Sequence, residues 1–223
     1  GYRSLGRLDA RTAFAVASAE DDLPALITID LRDGSHAIVR RPAAAPPLPT
    51  ALVSRGEPIE FPTTAGPGGE RRTAHAFFFA PRNPGFAAPA GELPPLIVTL
   101  HGGPTAHHST DLHLTKQFFT TRGFAVVDVN YGGSSGFGRA YRERLRGQWG
   151  VVDLADAVAA VRYLAAAGRV DPKRIVIRGG SAGGYTVLCA LAFTDVFAAG
   201  INYFGIADLE MLAADTHKFE SRY

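Results

Sequence analysis

Cysteine occurs once in the 223 residues, at Cys189, which excludes an intrachain disulfide framework and any metal site built from cysteines alone. A reducing compartment is therefore permitted. Lysine is nearly absent: it supplies three of the 23 basic residues and arginine the rest, against 21 acidic residues. The resulting formal charge of +2 is spread along the chain and offers no basic face on which a phosphate backbone would lie, so no nucleic-acid partner is expected. Long apolar runs are missing too. None approaches the roughly 18 consecutive apolar residues of a membrane span, and no signal peptide is visible. No membrane partner is expected, and the location is read as cytoplasmic, although Gly1 is not an initiator methionine and a leader upstream stays open. What is abundant is apolar: 46% of residues are hydrophobic, enough for one sizeable core with or without a small appendage.

The chain divides by pattern. Residues 12–17, 25–31 and 37–39 read as short strands, with Asp33-Gly34 as a turn signal, and residues 1–41 as a hairpin-like β unit that cannot bury its own apolar face. Four prolines among residues 42–49 mark a stiff connector and the best boundary, dividing the chain into residues 1–50 and 51–223. From Pro58 onward strands alternate with helices, the signature of an α/β sheet. Residues 74–79, 96–100, 124–129 and 199–204 are expected as strands, the last buried, and residues 112–121 and 151–164 as helices. Residues 65–69 and 81–95, rich in glycine and proline, are expected as loops.

The chemistry is announced by Gly179-Gly180-Ser181-Ala182-Gly183-Gly184, which follows the apolar run Ile175-Val176-Ile177 and precedes a helical stretch. Strand, tight turn and helix around a G-x-S-x-G serine read as a nucleophile elbow. A serine hydroxyl is a weak nucleophile at its free pKa and needs an imidazole to accept its proton and a carboxylate to orient that imidazole. His101-Gly102-Gly103-Pro104 follows the strand at 96–100, where this architecture supplies an oxyanion donor, so the backbone N–H groups of Gly103 and Ala182 are the candidate pair. His101 belongs to that turn and is not read as the base. His107, His108 and His113 lie in one loop without a cysteine pair or an H-E-x-x-H helix and read as solvated, so no metal is expected. Residues 132–138 are not followed by the Lys-Ser/Thr of a phosphate loop, and no nucleotide cofactor is expected. Asp208 reads as a loop or helix-cap residue, and Asp195, Asp215 and His217 are not given triad roles.

Taken together, His101 to Thr105, residues 130–138 beginning Asn130-Tyr131-Gly132-Gly133-Ser134, Gln148-Trp149-Gly150 with Asp153, and Gly179 to Tyr185 resemble the prolyl oligopeptidase family of serine peptidases, in its acylaminoacyl peptidase and dipeptidyl aminopeptidase branch. The resemblance covers residues 50–223. It implies an α/β-hydrolase fold, mostly parallel sheet flanked by helices and here incomplete, preceded by the last strands of a β-propeller. It also implies that Ser181 is the nucleophile, that Gly103 and Ala182 form the oxyanion hole, and that Ile206, Leu209 and Leu212 line an apolar pocket for the residue before the scissile bond. The same three residues fit an ordinary packed helix stripe equally well. Many members of the family carry arginine where this chain has Gly132.

The architecture orders its triad Ser, Asp/Glu, His, and the chain ends at Tyr223. The acid and base are therefore expected beyond it, and the chain is expected to be a fragment, inactive alone, of a parent that cleaves short peptides and assembles as a homo-oligomer. Two other readings stay open: a carboxylesterase or lipase, which shares HGG and G-x-S-x-G, and a non-catalytic binding module.

Overall fold

The computed structural model describes residues 1–43, 48–64 and 71–216. The loop expected at 65–69, the middle of the connector and His217 lie outside them. The first unit is a four-stranded antiparallel meander, β1 (Tyr2–Arg7), β2 (Thr12–Ala17), β3 (Ala25–Asp30) and β4 (His36–Arg40), paired in chain order. It is larger than the hairpin expected, because Tyr2–Arg7 carries polar residues with no alternation yet pairs along β2. Its core is only Ala15, Ala25 and Ile27, and β1 and β4 are exposed throughout nearly all their length.

The second unit is a six-stranded sheet in the order β10-β9-β7-β8-β6-β5. Its strands are β5 (Glu57–Thr63), β6 (Arg72–Phe79), β7 (Leu96–Leu100), β8 (Ala125–Asn130), β9 (Ile175–Gly180) and β10 (Ala199–Tyr203). β8, β7, β9 and β10 run parallel, while β6 pairs antiparallel with both β8 and β5. Five helices accompany it: α1 (Leu114–Thr120), α2 (Arg139–Arg142), α3 (Val152–Ala166), α4 (Ala182–Phe193) and α5 (Leu209–Asp215).

Strand periodicity divides the sheet's two faces. Leu96, Val98 and Leu100 of β7, Val127 and Val129 of β8, and Ile175 and Ile177 of β9 pack with Ala157, Ala160, Val161 and Leu164 of α3 and Val187 of α4 in the main core. The alternate residues Ile97 and Val126 pack with Phe79 and Phe119 on the face that carries α1. That face also holds Asp128, 1% exposed, paired with Lys116 at 2.7 Å. His108 lies 3.7 Å from the same carboxylate, and burial lowers its pKa. The solvated reading of this loop is thus corrected for His108, whose ring turns inward over the sheet, while His107 and His113 are exposed as expected. The expected burial of residues 199–204 is corrected as well. β10 is the sheet's edge, and Ile201, Tyr203 and Phe204 are 41%, 43% and 84% exposed.

Candidate active site

Parallel strands place their carboxyl ends together, and the motifs follow the strands there. β9 ends in Gly179-Gly180 and turns at Ser181 into α4. Ser181 holds φ 53° and ψ −122°, a conformation that costs a non-glycine residue about 1–3 kcal/mol. Its N–H donates to Tyr203 O of the neighbouring strand at 3.0 Å, and its carbonyl accepts from Gly184 N at 2.9 Å and Tyr185 N at 3.2 Å. The turn admits no side chain on its inner side: a methyl group on Gly179 would lie 2.4 Å from Gly183 O, and one on Gly183 would lie 2.7 Å from Leu100 O. The second of these contacts seats the elbow directly on the end of β7.

β7 continues into His101-Gly102-Gly103-Pro104 beside it. A methyl group on Gly102 would stand 3.4 Å from Ser181 Cβ and 3.9 Å from Ser181 Oγ, so this turn flanks the serine. Ala182 N–H opens α4, where no intrahelical acceptor is available. Among the described residues neither that group nor Gly103 N–H donates a hydrogen bond. The structure thus brings the turn that carries Gly103 against Ser181, with Ala182 next to the serine in the chain.

The turn is held from beneath by a polar network that the sequence does not reveal by spacing. His101, 7% exposed, stacks on Tyr131 with ring centroids 4.3 Å apart. His101 Nδ1 lies 2.8 Å from Gly102 O, and Nε2 lies 2.7 Å from Ser134 Oγ. Tyr131 Oη–H donates to Pro104 O at 2.8 Å. Burial, aided by the neighbouring His108, lowers the pKa of His101 to about 3, so its imidazole is neutral and both ring nitrogens are engaged. Two carboxylates of α3 complete the support. Asp153 accepts from Gly150 N at 2.7 Å and from the Thr186 hydroxyl on α4. Asp156 accepts from Gly132 N at 2.7 Å, one residue after Tyr131. Burial raises the pKa of both, that of Asp153 to about 6. Gly132 is itself hemmed in, since a methyl group there would meet Val152 Cγ1 at 2.8 Å and Arg144 Cδ at 3.1 Å.

Beyond the elbow, Asp208 caps α5 by accepting from Glu210 N at 2.9 Å and Met211 N at 3.1 Å. Ile206, Leu209 and Leu212 are half-buried, with Leu209 and Leu212 one turn apart. No hydrogen bond or ring contact joins them to Ser181. Phe204, expected within a buried strand, instead stands beside the elbow. Its Cζ would lie 3.4 Å from a methyl group on Gly180, its φ is 40°, and it is 84% exposed. A cavity of about 1040 Å³ lies elsewhere. Pro94, Pro95, Gly123 and Arg174 line it at the opposite ends of the same strands. No group of three or more metal-ligating side chains occurs among the described residues, and none of their helices is long and apolar enough to cross a membrane.

Comparison with known proteins agrees with this layout. The model of the prolyl oligopeptidase family matches residues 110–223. The chain belongs to the prolyl oligopeptidase family. Among its relatives, dipeptidyl aminopeptidase BIII of Pseudoxanthomonas mexicana is 37% identical over 119 residues, covering 53% of this chain and 17% of that protein. An acylamino-acid-releasing enzyme of Arabidopsis thaliana is 36% identical over 95 residues, covering 43% of this chain and 12% of that enzyme. The solved puromycin-hydrolyzing peptidase of Mycobacterium tuberculosis superposes with a TM-score of 0.88 at 49% identity, over 97% of this chain and 33% of that one. A solved puromycin hydrolase gives a TM-score of 0.90 at 40% identity, over 100% and 33%. The chain therefore spans a third or less of the proteins it matches. The relatives thus include a dipeptidyl aminopeptidase and an acylamino-acid-releasing enzyme within a peptidase family.

Proposed function

We propose that Ser181 is the nucleophile of a peptidase that cleaves short peptides by acyl transfer, with Gly103 and Ala182 supplying the backbone N–H groups for the oxyanion. The observation that carries this reading is the close approach of Gly102, where an added methyl group would touch a serine held at positive φ, with the N–H groups of Gly103 and Ala182 undonated among the described residues. Attack of Ser181 Oγ on a scissile carbonyl would place the developing oxygen charge between those donors and next to the amino end of α4. Ile206, Leu209 and Leu212, with Phe204 beside Gly180, form the apolar side of the substrate site. On this reading the four-stranded meander is the end of a β-propeller, and residues 51–223 begin the catalytic domain.

None of the six described histidines bonds Ser181 Oγ, which supports a base outside the described residues and a 223-residue chain that does not turn over alone. Intact-mass analysis after fluorophosphonate treatment tests this: the chain is expected to stay unlabelled while folded. Rapid labelling abolished by Ser181→Ala would instead place a base within it. For the full-length protein, turnover of an aminoacyl-arylamide is expected to exceed that of an aryl ester and to fall about 10⁶-fold in Ser181→Ala. Puromycin joins the substrate panel because two solved relatives are named for its hydrolysis. Turnover of esters alone would favour the carboxylesterase reading.

A further inference from the structure

We propose that Ser134 is a positioning residue for the oxyanion hole, acting through the tautomer of His101 to fix the direction in which Gly103 N–H points. The inference rests on the proposed role of Gly103 and deepens it.

The peptide between Gly102 and Gly103 is trans. In a trans peptide the carbonyl and the N–H lie in one plane and point in opposite directions. Whatever holds Gly102 O therefore aims Gly103 N–H. What holds Gly102 O is His101 Nδ1 at 2.8 Å.

A carbonyl oxygen only accepts, so this contact is attractive solely when Nδ1 carries the proton. A neutral imidazole with Nδ1–H has a bare Nε2, which must accept. Ser134 Oγ stands 2.7 Å from Nε2 and is fully buried, and among the described residues that nitrogen is its side-chain hydrogen-bond partner. Its hydroxyl donates to Nε2 and so selects the tautomer. With Nε2 protonated instead, the Nδ1 lone pair would face Gly102 O and the peptide would gain by turning over, which would swing Gly103 N–H away from Ser181. The imidazolium, which could donate at both nitrogens, is removed by the burial that lowers the pKa of His101 to about 3. Tyr131 then restrains the ring by stacking and holds the far side of the turn through Pro104 O. Tyr131 Oη also lies 3.2 Å from Nδ1, and with its proton given to Pro104 O it accepts there, in agreement with Nδ1–H. Among the described residues Ser134 supplies the one hydroxyl at Nε2, so donation to that nitrogen depends on Ser134.

The test is Ser134→Ala, with Ser134→Thr as the variant that keeps the donor. Imidazole ¹⁵N shifts and the residual dipolar coupling of the Gly103 amide are read in this chain, independently of turnover. Wild type and Ser134→Thr are expected to show Nδ1–H alone. Ser134→Ala is expected to populate Nε2–H and to change the Gly103 coupling. In the full-length protein it should lower kcat about tenfold or more with KM little changed, short of the 10²–10³ for outright loss of a donor. An unchanged tautomer in Ser134→Ala overturns the proposal, as does a changed tautomer with an unmoved Gly103 amide or unaltered kcat. Absence of Ser181-dependent turnover in the wild-type full-length protein, with the tautomer response intact, counts against the peptidase reading and leaves the relay standing.

Discussion

Gly183 and Asp153 show how little latitude the elbow has at the scale of single residues. The backbone of Gly183 lies against Leu100 O and His101 O, so Gly183→Ala must push the elbow helix off the end of β7. A cost of about 1–3 kcal/mol is expected, in the range of other overpacked sites, with a lower urea midpoint as the readout. Asp153 acts through charge. Its carboxyl is buried and its pKa is raised from 3.8 to about 6, mainly by desolvation. The folded state thus holds the proton more tightly than the unfolded chain. The stabilisation from that proton is complete below pH 3.8 and is lost as pH rises through 6, amounting to about 3 kcal/mol across the window. The difference in urea midpoint between wild type and Asp153→Asn is therefore expected to grow to the disadvantage of wild type from pH 4 to pH 7, and a pH-independent difference would contradict the assignment.

At the scale of elements, the exposed edge is the feature with the clearest consequence. Among the described residues β10 has no strand on its outer side, beside Ile201, Tyr203 and Phe204, which makes it a template for pairing with another strand. The isolated chain is expected to associate with rising concentration, and Ile201→Lys to shift it toward monomer in sedimentation velocity. The elements were unevenly legible in the sequence. α3 and the strands of the parallel core declare themselves, because burial on both faces writes short apolar runs such as Phe124–Val127 and because Val151, Leu154, Val158, Val161 and Leu164 repeat at helical spacing. The elbow and HGGP turn were equally legible, since glycine is demanded wherever backbones touch. β1 and β5 were not, being edge strands whose partners are set by pairing rather than by their own side chains. The apolar run 199–204 misled for the converse reason: composition reports what could be buried, whereas its cover depends on what lies beside β10. Ser134, Asp156 and Phe204 had no signal as positioning groups, because their roles come from residues far away in the chain.

At the scale of the whole molecule, the meander and the six-stranded sheet meet through polar contacts. Asp111 receives the Gly1 ammonium at 3.3 Å and Arg3 at 3.7 Å, Arg55 reaches Asp21 at 2.6 Å, and Leu112 N donates to Ala19 O at 2.8 Å. Partly exposed ion pairs contribute about 1 kcal/mol or less each and weaken with salt. Asp111→Ala is accordingly expected to leave the main unfolding transition of the six-stranded sheet nearly unmoved in calorimetry, while lowering any separate transition of the meander. The hydrogen bond from Ser181 N–H to Tyr203 O gives the assembly a different vulnerability. Ser181, the proposed nucleophile, is latched to the outermost rung of the described sheet, so fraying there would release its torsion while every inner strand is still paired. A full-length enzyme built on this latch would go silent on warming well before it melts, and whatever shelters β10 would set the temperature at which it does so.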